Sequence, residues 1–344
     1  MRLYSGRANT HHALALLVVL AVQIFAANAF AQDAKVVTPR TPLPCDERPS
    51  EFSILVRSDF SDLGPLSCTH DLISAQGATF SATNNLLTSK NSLSGDGLIA
   101  FDYTRYDGNA DIFKGFSIGA FVQADDTYQL QSAANQPYNG YALTSGGFAE
   151  FAVFNKFAHG IDNFRVRDGE ATASTGTRSN SFVAEWIPQY VTSIDYLSLG
   201  LPVRVGPPPS PLWYSFSPEL MVQYDRFDSG PKTAAIFASG IDALRVGPQM
   251  TLRFAVEEEN LPAAWDPRFR SFLANSSVSI TNHESWEQYT GKQYAWTAAV
   301  YSYTFPGANK QSSHIGLSAS YGFGSSESSG NLTKQAKVGL AVKF

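Results

Sequence analysis

Residues 314–324 read HIGLSASYGFG. Ile315, Leu317, Ala319, Tyr321 and Phe323 fall on one set of alternate positions, and His314, Gly316, Ser318, Ser320, Gly322 and Gly324 on the other. A helix would need apolar spacings of three and four. A period of two instead sends successive side chains to opposite faces of a strand. The stretch 244–257, LRVGPQMTLRFAVE, repeats the design, and so does 214–227, YSFSPELMVQYDRF. Weaker versions occupy 73–86, 96–106, 114–124, 146–157, 161–168, 179–190, 269–283 and 292–304, and 332–344 ends the series. The pattern predicts an all-β chain of about twelve strands, within a range of 10–14. Turn-rich stretches such as DGNAD, DSGP and SSESSGN separate many of them.

Strand length and face chemistry decide between a soluble sandwich and a barrel. Several runs reach 11–14 residues, whereas ordinary strands are about 5–6. One face carries Gly and Ser, which suit a crowded interior. The other carries aromatics near its ends, as with Tyr214 and Tyr224, Trp186 and Tyr190, and Tyr321 and Phe323. That is the pattern of strands crossing a bilayer. A bilayer forbids open sheet edges, so such strands must close. The expected fold is a transmembrane antiparallel up-and-down β-barrel over residues 73–344.

The N-terminus differs. Met1–His12 carries Arg2 and Arg7 and no acid, and ALALLVVLAVQIFAA follows. Ala29-Phe30-Ala31 has the small-x-small form of a cleavage site, so residues 1–31 read as a secretory signal peptide. Residues 32–72 hold five prolines and both cysteines and read as a periplasmic extension. Within it FSILVR could form one short strand. Cys45 and Cys68, near each other in an exported chain, are expected to pair. The net charge of −5 excludes a basic nucleic-acid surface. No cofactor loop or metal-ligand spacing is present.

The last eight residues, KVGLAVKF, place Val338, Leu340, Val342 and Phe344 on alternate positions. In this the chain resembles bacterial outer-membrane β-barrel proteins, whose final strand often ends in Phe behind alternating apolar residues. The resemblance covers roughly 73–344. It implies an outer-membrane location and contact with outer-membrane lipids and lipopolysaccharide. It also implies delivery by periplasmic chaperones, and recognition of the terminal strand by the barrel assembly machinery. A monomer is expected, because trimeric porins usually have more strands.

Two groups could carry chemistry. Glu219, Gln223 and Asp225 are expected to face inward on one strand, opposite Arg245, Arg253 and Glu257 on the next. Asn163, Arg165, Arg167 and Glu185 are expected to join the same interior. Opposed acids and bases could form a selectivity constriction, or a salt-bridge network that fills a narrow barrel. The second group is TNHESW, where His283 and Ser285 stand two apart after Asn282, as in outer-membrane phospholipases. The Asn-Gly that should follow is replaced by Trp286 and Glu287, and the pair is expected to face away from lipid. Three functions remain open: a narrow channel for small hydrophilic solutes or ions, a barrel with a plugged lumen, and a lipid hydrolase. One feature disagrees with simple barrel topology. Residues 191–210 and 258–268 are long connections on the side where turns should be short.

Overall fold

The computed structural model describes residues 51–57, 78–87, 90–107, 110–129, 139–156, 160–173, 178–191, 198–206, 210–229, 242–288, 291–305, 314–325 and 332–343. The strands are β1 (Glu51–Arg57), β2 (Ala78–Asn85), β3 (Lys90–Tyr106), β4 (Phe113–Gln129), β5 (Asn139–Asn155), β6 (Gly160–Ala173) and β7 (Arg178–Val191). Then follow β8 (Ser198–Leu199), β9 (Pro202–Arg204), β10 (Leu212–Ser229) and β11 (Asp242–Val256). A helix, α1 (Pro267–Ala274), precedes β12 (Ser276–Glu287), β13 (Gln293–Thr304), β14 (His314–Ser325) and β15 (Leu332–Lys343).

These strands close into a barrel. Neighbours in sequence pair from β2 to β7, β7 pairs β10, and neighbours pair again from β10 to β15. β15 then returns to β2, with Leu340 opposite Phe80. All of these pairings are antiparallel; a single parallel bridge joins Phe216 of β10 to Leu199 of β8. All twelve alternating stretches in the sequence find a strand, and the terminal stretch closes the ring as its pattern predicts.

Among the described residues the sheet holds three strands beyond those twelve, namely β1, β8 and β9. β1 pairs residues 98–104 of β3, while β2 pairs residues 90–96 on the same side. Arg57 sits opposite Leu98 and Thr79 opposite Asp96, so β1 and β2 lie end to end in one position of the wall. Part of the segment read as a periplasmic extension therefore belongs to the barrel. Its side chains obey the barrel's two faces: Phe52 and Ile54 are exposed outside, and Leu55 packs inward against the Leu98, Ala100, Phe121 and Phe148 cluster. Residues 1–31 and both cysteines lie outside the described residues.

We call the rim reached by the start of β1 and the finish of β15 the near rim, and the other the far rim. Both long connections noticed in the sequence are at the near rim. The first fills a gap in the wall. The β7–β10 ladder runs from Arg178–Ser229 to Trp186–Leu220 and stops. The next pair on that face would set Pro188 against Pro218, and neither has an N–H to donate. Below that point β8 continues the pairing of β7, and β9 that of β10. Gly200 turns the chain between them at φ 69°, where the Pro188 carbonyl leaves no room for a Cβ. The connection expected at 191–210 is thus partly strand, at Ser198–Leu199 and Pro202–Arg204.

The second connection corrects the strand expected at 269–283. It holds a turn of 3-10 helix (Glu258–Asn260) and then α1. Asp266 caps the helix by accepting from the backbone N–H of Arg268 at 2.8 Å and of Phe269 at 3.3 Å, and Pro267 opens its first turn. At the far rim, β4 runs to Gln129 and β5 begins at Asn139.

Candidate functional site

The two faces of the wall have opposite chemistry. Outside, Phe101, Ile118, Phe164, Leu220, Val278 and Leu340 are all exposed. β10 shows the band most fully: Tyr214, Phe216, Pro218, Leu220, Val222 and Tyr224 point out before Arg226 brings the first charge. Tyr214 to Tyr224 spans about 34 Å of strand, which at roughly 40° of tilt gives a band about 25 Å tall. Apolar side chains exposed in such a band need a lipid solvent. Near the rim Asp162 also faces out, but it is occupied. It accepts from Trp186 Nε1 at 2.8 Å, from Asn155 Nδ2 at 2.9 Å and from the Tyr190 hydroxyl. These bonds fix two girdle aromatics in place.

Inside, charge is concentrated in two clusters. The larger spans β5, β6 and β7. Arg165 lies 3.6 Å from Glu150 and 3.2 Å from Glu185, and Arg167 also pairs with Glu185. All four are buried, Glu150 completely. Asn163 and the apolar cluster of Leu98, Ala100, Phe121 and Phe148 complete this half. Gly119 permits it, since the Phe148 ring lies where a Cβ would stand. The expected inward group of Asn163, Arg165, Arg167 and Glu185 is therefore present. Glu150, on the inward face of the weaker stretch 146–157, is the member that sequence reasoning missed.

The second cluster lies toward the far rim of β10, β11 and β12. Arg245 Nη1 is 3.3 Å from Asp225, and Gln223 Nε2 donates to both Asp225 oxygens at 3.0 and 2.9 Å. Glu287 sits opposite Arg245 in register and accepts from the Tyr294 hydroxyl at 3.0 Å. The expected constriction is thus only partly assembled. Glu219 is one of its inward members but takes its hydrogen bond from Gln249 Nε2, at 3.3 Å, rather than from a cation. Arg253 faces inward nearer the opposite rim, level with Ser215 and Ser279. Glu257 lies past the end of β11. It pairs with Arg204 at 2.6 Å and accepts from Trp213 Nε1 at 3.3 Å, which ties β9 to the near rim.

The interior is unevenly filled. At mid-height the inward residues of β6 and β7 are buried, Asn163, Arg165, Arg167 and Gly169 on one and Val183, Glu185, Ile187 and Gln189 on the other, as are residues 98–104 on that face of β3. On β12, β13 and β14 inward side chains toward the near rim are small and partly exposed, among them Ser277, Ser279, Ala298, Ser302, Ser318 and Ser320, whereas Ser285, Glu287 and Tyr294 toward the far rim are buried. Lys337 and Asp96 pair across this side at 3.2 Å with the lysine still partly exposed. Trp296 is a large inward side chain here, and its ring occupies the space where a Cβ of Gly322 would stand.

His283 and Ser285 both face inward on β12, opposite Trp296 and Tyr294. Ser285 is 2% exposed. This removes the phospholipase-like pair from the lipid face where its substrate would lie. Among the described residues no group of three or more His, Cys, Asp or Glu is placed to hold a metal. Val338 and Leu340 point outward, as the terminal pattern requires. The side chain of Val342, and Phe344, lie outside the described residues.

No family model matches the sequence, and no curated protein matches it. Solved structures of outer-membrane proteins are weakly similar. An outer-membrane channel from Pseudomonas putida F1 is similar at 11% identity and a TM-score of 0.45, covering 88% of this chain and 98% of its own. The β domain of the Bordetella autotransporter BrkA gives 12% and 0.40, covering 78% and 97%. The KdgM porin gives 9% and 0.28, also covering 78% and 97%. At these values the likeness carries no activity over to this chain. On its own closure, outward band and inward charge, the molecule has the architecture of the bacterial outer-membrane β-barrels that its sequence resembles.

Proposed function

We propose that the protein is a narrow passive channel of the outer membrane for small hydrophilic solutes or ions. The supporting observation is the uneven lumen. Buried side chains fill the middle of the β3–β7 half, while toward the near rim the β12–β14 half carries small side chains that retain partial exposure. An off-centre polar path past Ser279, Ser302 and Ser318 is the arrangement a selective pore needs, since pore bore and lining dipoles set what passes. In this reading the near rim is periplasmic and the protein acts as a monomer among phospholipids and lipopolysaccharide, after delivery by chaperones and the assembly machinery.

Planar bilayers test the reading. Purified protein should give discrete conductance steps, and Ser318→Trp should lower them by placing an indole in the path. Silence from the unmodified protein would defeat the proposal. It would favour the second reading, a barrel with a plugged lumen that works through its loops. The sealed cluster around Arg165 is the observation behind that alternative.

A further inference from the structure

α1 has no place in a barrel that only needs to close. Two strands could be joined at the near rim by a few residues, yet residues 257–275 intervene between β11 and β12. None of the helix residues is buried. Its apolar residues are nevertheless large and ordered on one side. Trp265, at the residue before the cap, Phe269 and Phe272 are spaced by four and three, which places them on one face. They are exposed by 42, 49 and 44%. Trp265 and Phe269 pack together with ring centroids 5.6 Å apart.

That face does not stand alone. Phe272 stacks on Tyr303 at 5.4 Å, and Tyr303 meets Phe305 edge-on at the same distance. Tyr301, on the same outward face of β13, shares a hydrogen bond with Ser276 at 2.9 Å. The helix's aromatic face is therefore a lateral extension of the barrel's outward aromatic girdle. The other side of α1 is held to the rim. Arg270 donates to the backbone carbonyl of Glu258 at 3.1 Å, and the Asn275 carbonyl accepts from the N–H of Thr304 at 2.8 Å. Arg268 is exposed and lies between Trp265 and Phe272 on the aromatic face, one turn from each.

We infer that α1 is an interfacial helix, seated in the boundary between headgroups and acyl chains of the leaflet at the near rim. Its occupant is the phospholipid surface. Trp265, Phe269 and Phe272 enter the acyl boundary, and Arg268 reaches back to a lipid phosphate. A short helix with aromatic and cationic residues on its exposed side, continuous with a lipid-facing wall, is the geometry such seating requires. The inference rests on the membrane-spanning reading, and the experiment below separates the two.

The protein is placed in phosphatidylethanolamine–phosphatidylglycerol vesicles whose acyl chains are brominated either near the headgroup or near the chain ends. The Trp265 signal is the difference between the unmodified protein and Trp265→Phe. It should be quenched more by headgroup-proximal bromine than by deep bromine, and shielded from aqueous acrylamide. Phe269→Ser combined with Phe272→Ser should reverse this, raising acrylamide quenching and losing bromine quenching. The outward Trp186 and Trp286 are the internal reference. If deep or shallow bromine quenches them but not Trp265, the helix does not seat and the inference fails by itself. If no tryptophan is quenched, the membrane-spanning reading fails with it. Unchanged bromine quenching in the double Ser variant would also overturn the assignment of the helix face.

Discussion

Replacing Arg165 by Met tests whether the β3–β7 half of the lumen is sealed. The guanidinium lies 3.6 Å from Glu150 and 3.2 Å from Glu185, with the arginine side chain 6% exposed. At an effective dielectric of about 20, each pair attracts by about 5 kcal/mol before desolvation is subtracted. Arg167 remains paired with Glu185 after the substitution, so Glu150, 0% exposed, bears the larger loss. Removing one partner of a buried ion pair costs about 3–5 kcal/mol, because a charge is left without compensation. The assay is guanidinium unfolding of the vesicle-inserted protein, followed by tryptophan emission. With a slope of roughly 2–6 kcal/mol per molar, the midpoint should fall by about 1 M. Glu150→Gln together with Arg165→Met should recover most of that, since both desolvation penalties disappear at once. An unchanged midpoint for Arg165→Met would refute the reasoning. So would a double variant as weak as the single one. Either result would mean that Glu150 does not depend on Arg165 for compensation, and the reasoning for a sealed side of the path would fall.

Two other outcomes follow from the wall. Hydrogen exchange should be faster for β7 amides beyond Trp186 and β10 amides before Leu220 than for the continuous β4–β5 ladder; equal protection would contradict the proline-interrupted seam. Phe344→Ala should lower the fraction that reaches the heat-modifiable, folded form on gels, while leaving the conductance of inserted protein unchanged. Full assembly without the aromatic would remove it as an assembly signal.

The barrel was legible in the sequence because a bilayer outside and a polar lumen inside impose opposite chemistry on alternate residues. That contrast survives wherever a strand is long, as at Leu244–Val256 or Ile315–Phe323. It blurs where strands are short or joined by structured connections. The segment 269–283 retains enough alternation after Ser276 to read as one strand, and its first half was absorbed into it. The Asp-Pro pair at 266–267, a cap followed by a first-turn proline, was the local signal for α1. The lumen clusters were harder. Alternation gives a residue's face but not its height, so Arg245 and Asp225 were placed together correctly while Arg253 and Glu257 were grouped with them despite lying lower. Glu150 was missed because its partner Arg165 comes from another strand, β6, and neighbouring strands share no spacing rule that links such charges.

The split position occupied by β1 and β2 has a topological consequence. A ring in which every neighbour runs antiparallel must contain an even number of positions, just as two colours alternate around a circle only if the beads are even. Thirteen full-length strands could not satisfy this; one seam would have to be parallel. Placing two short strands in line keeps the circuit even while lengthening the wall toward the near rim. β1 is therefore a patch and not a stave. Its removal would shorten one position without changing the direction of any other strand.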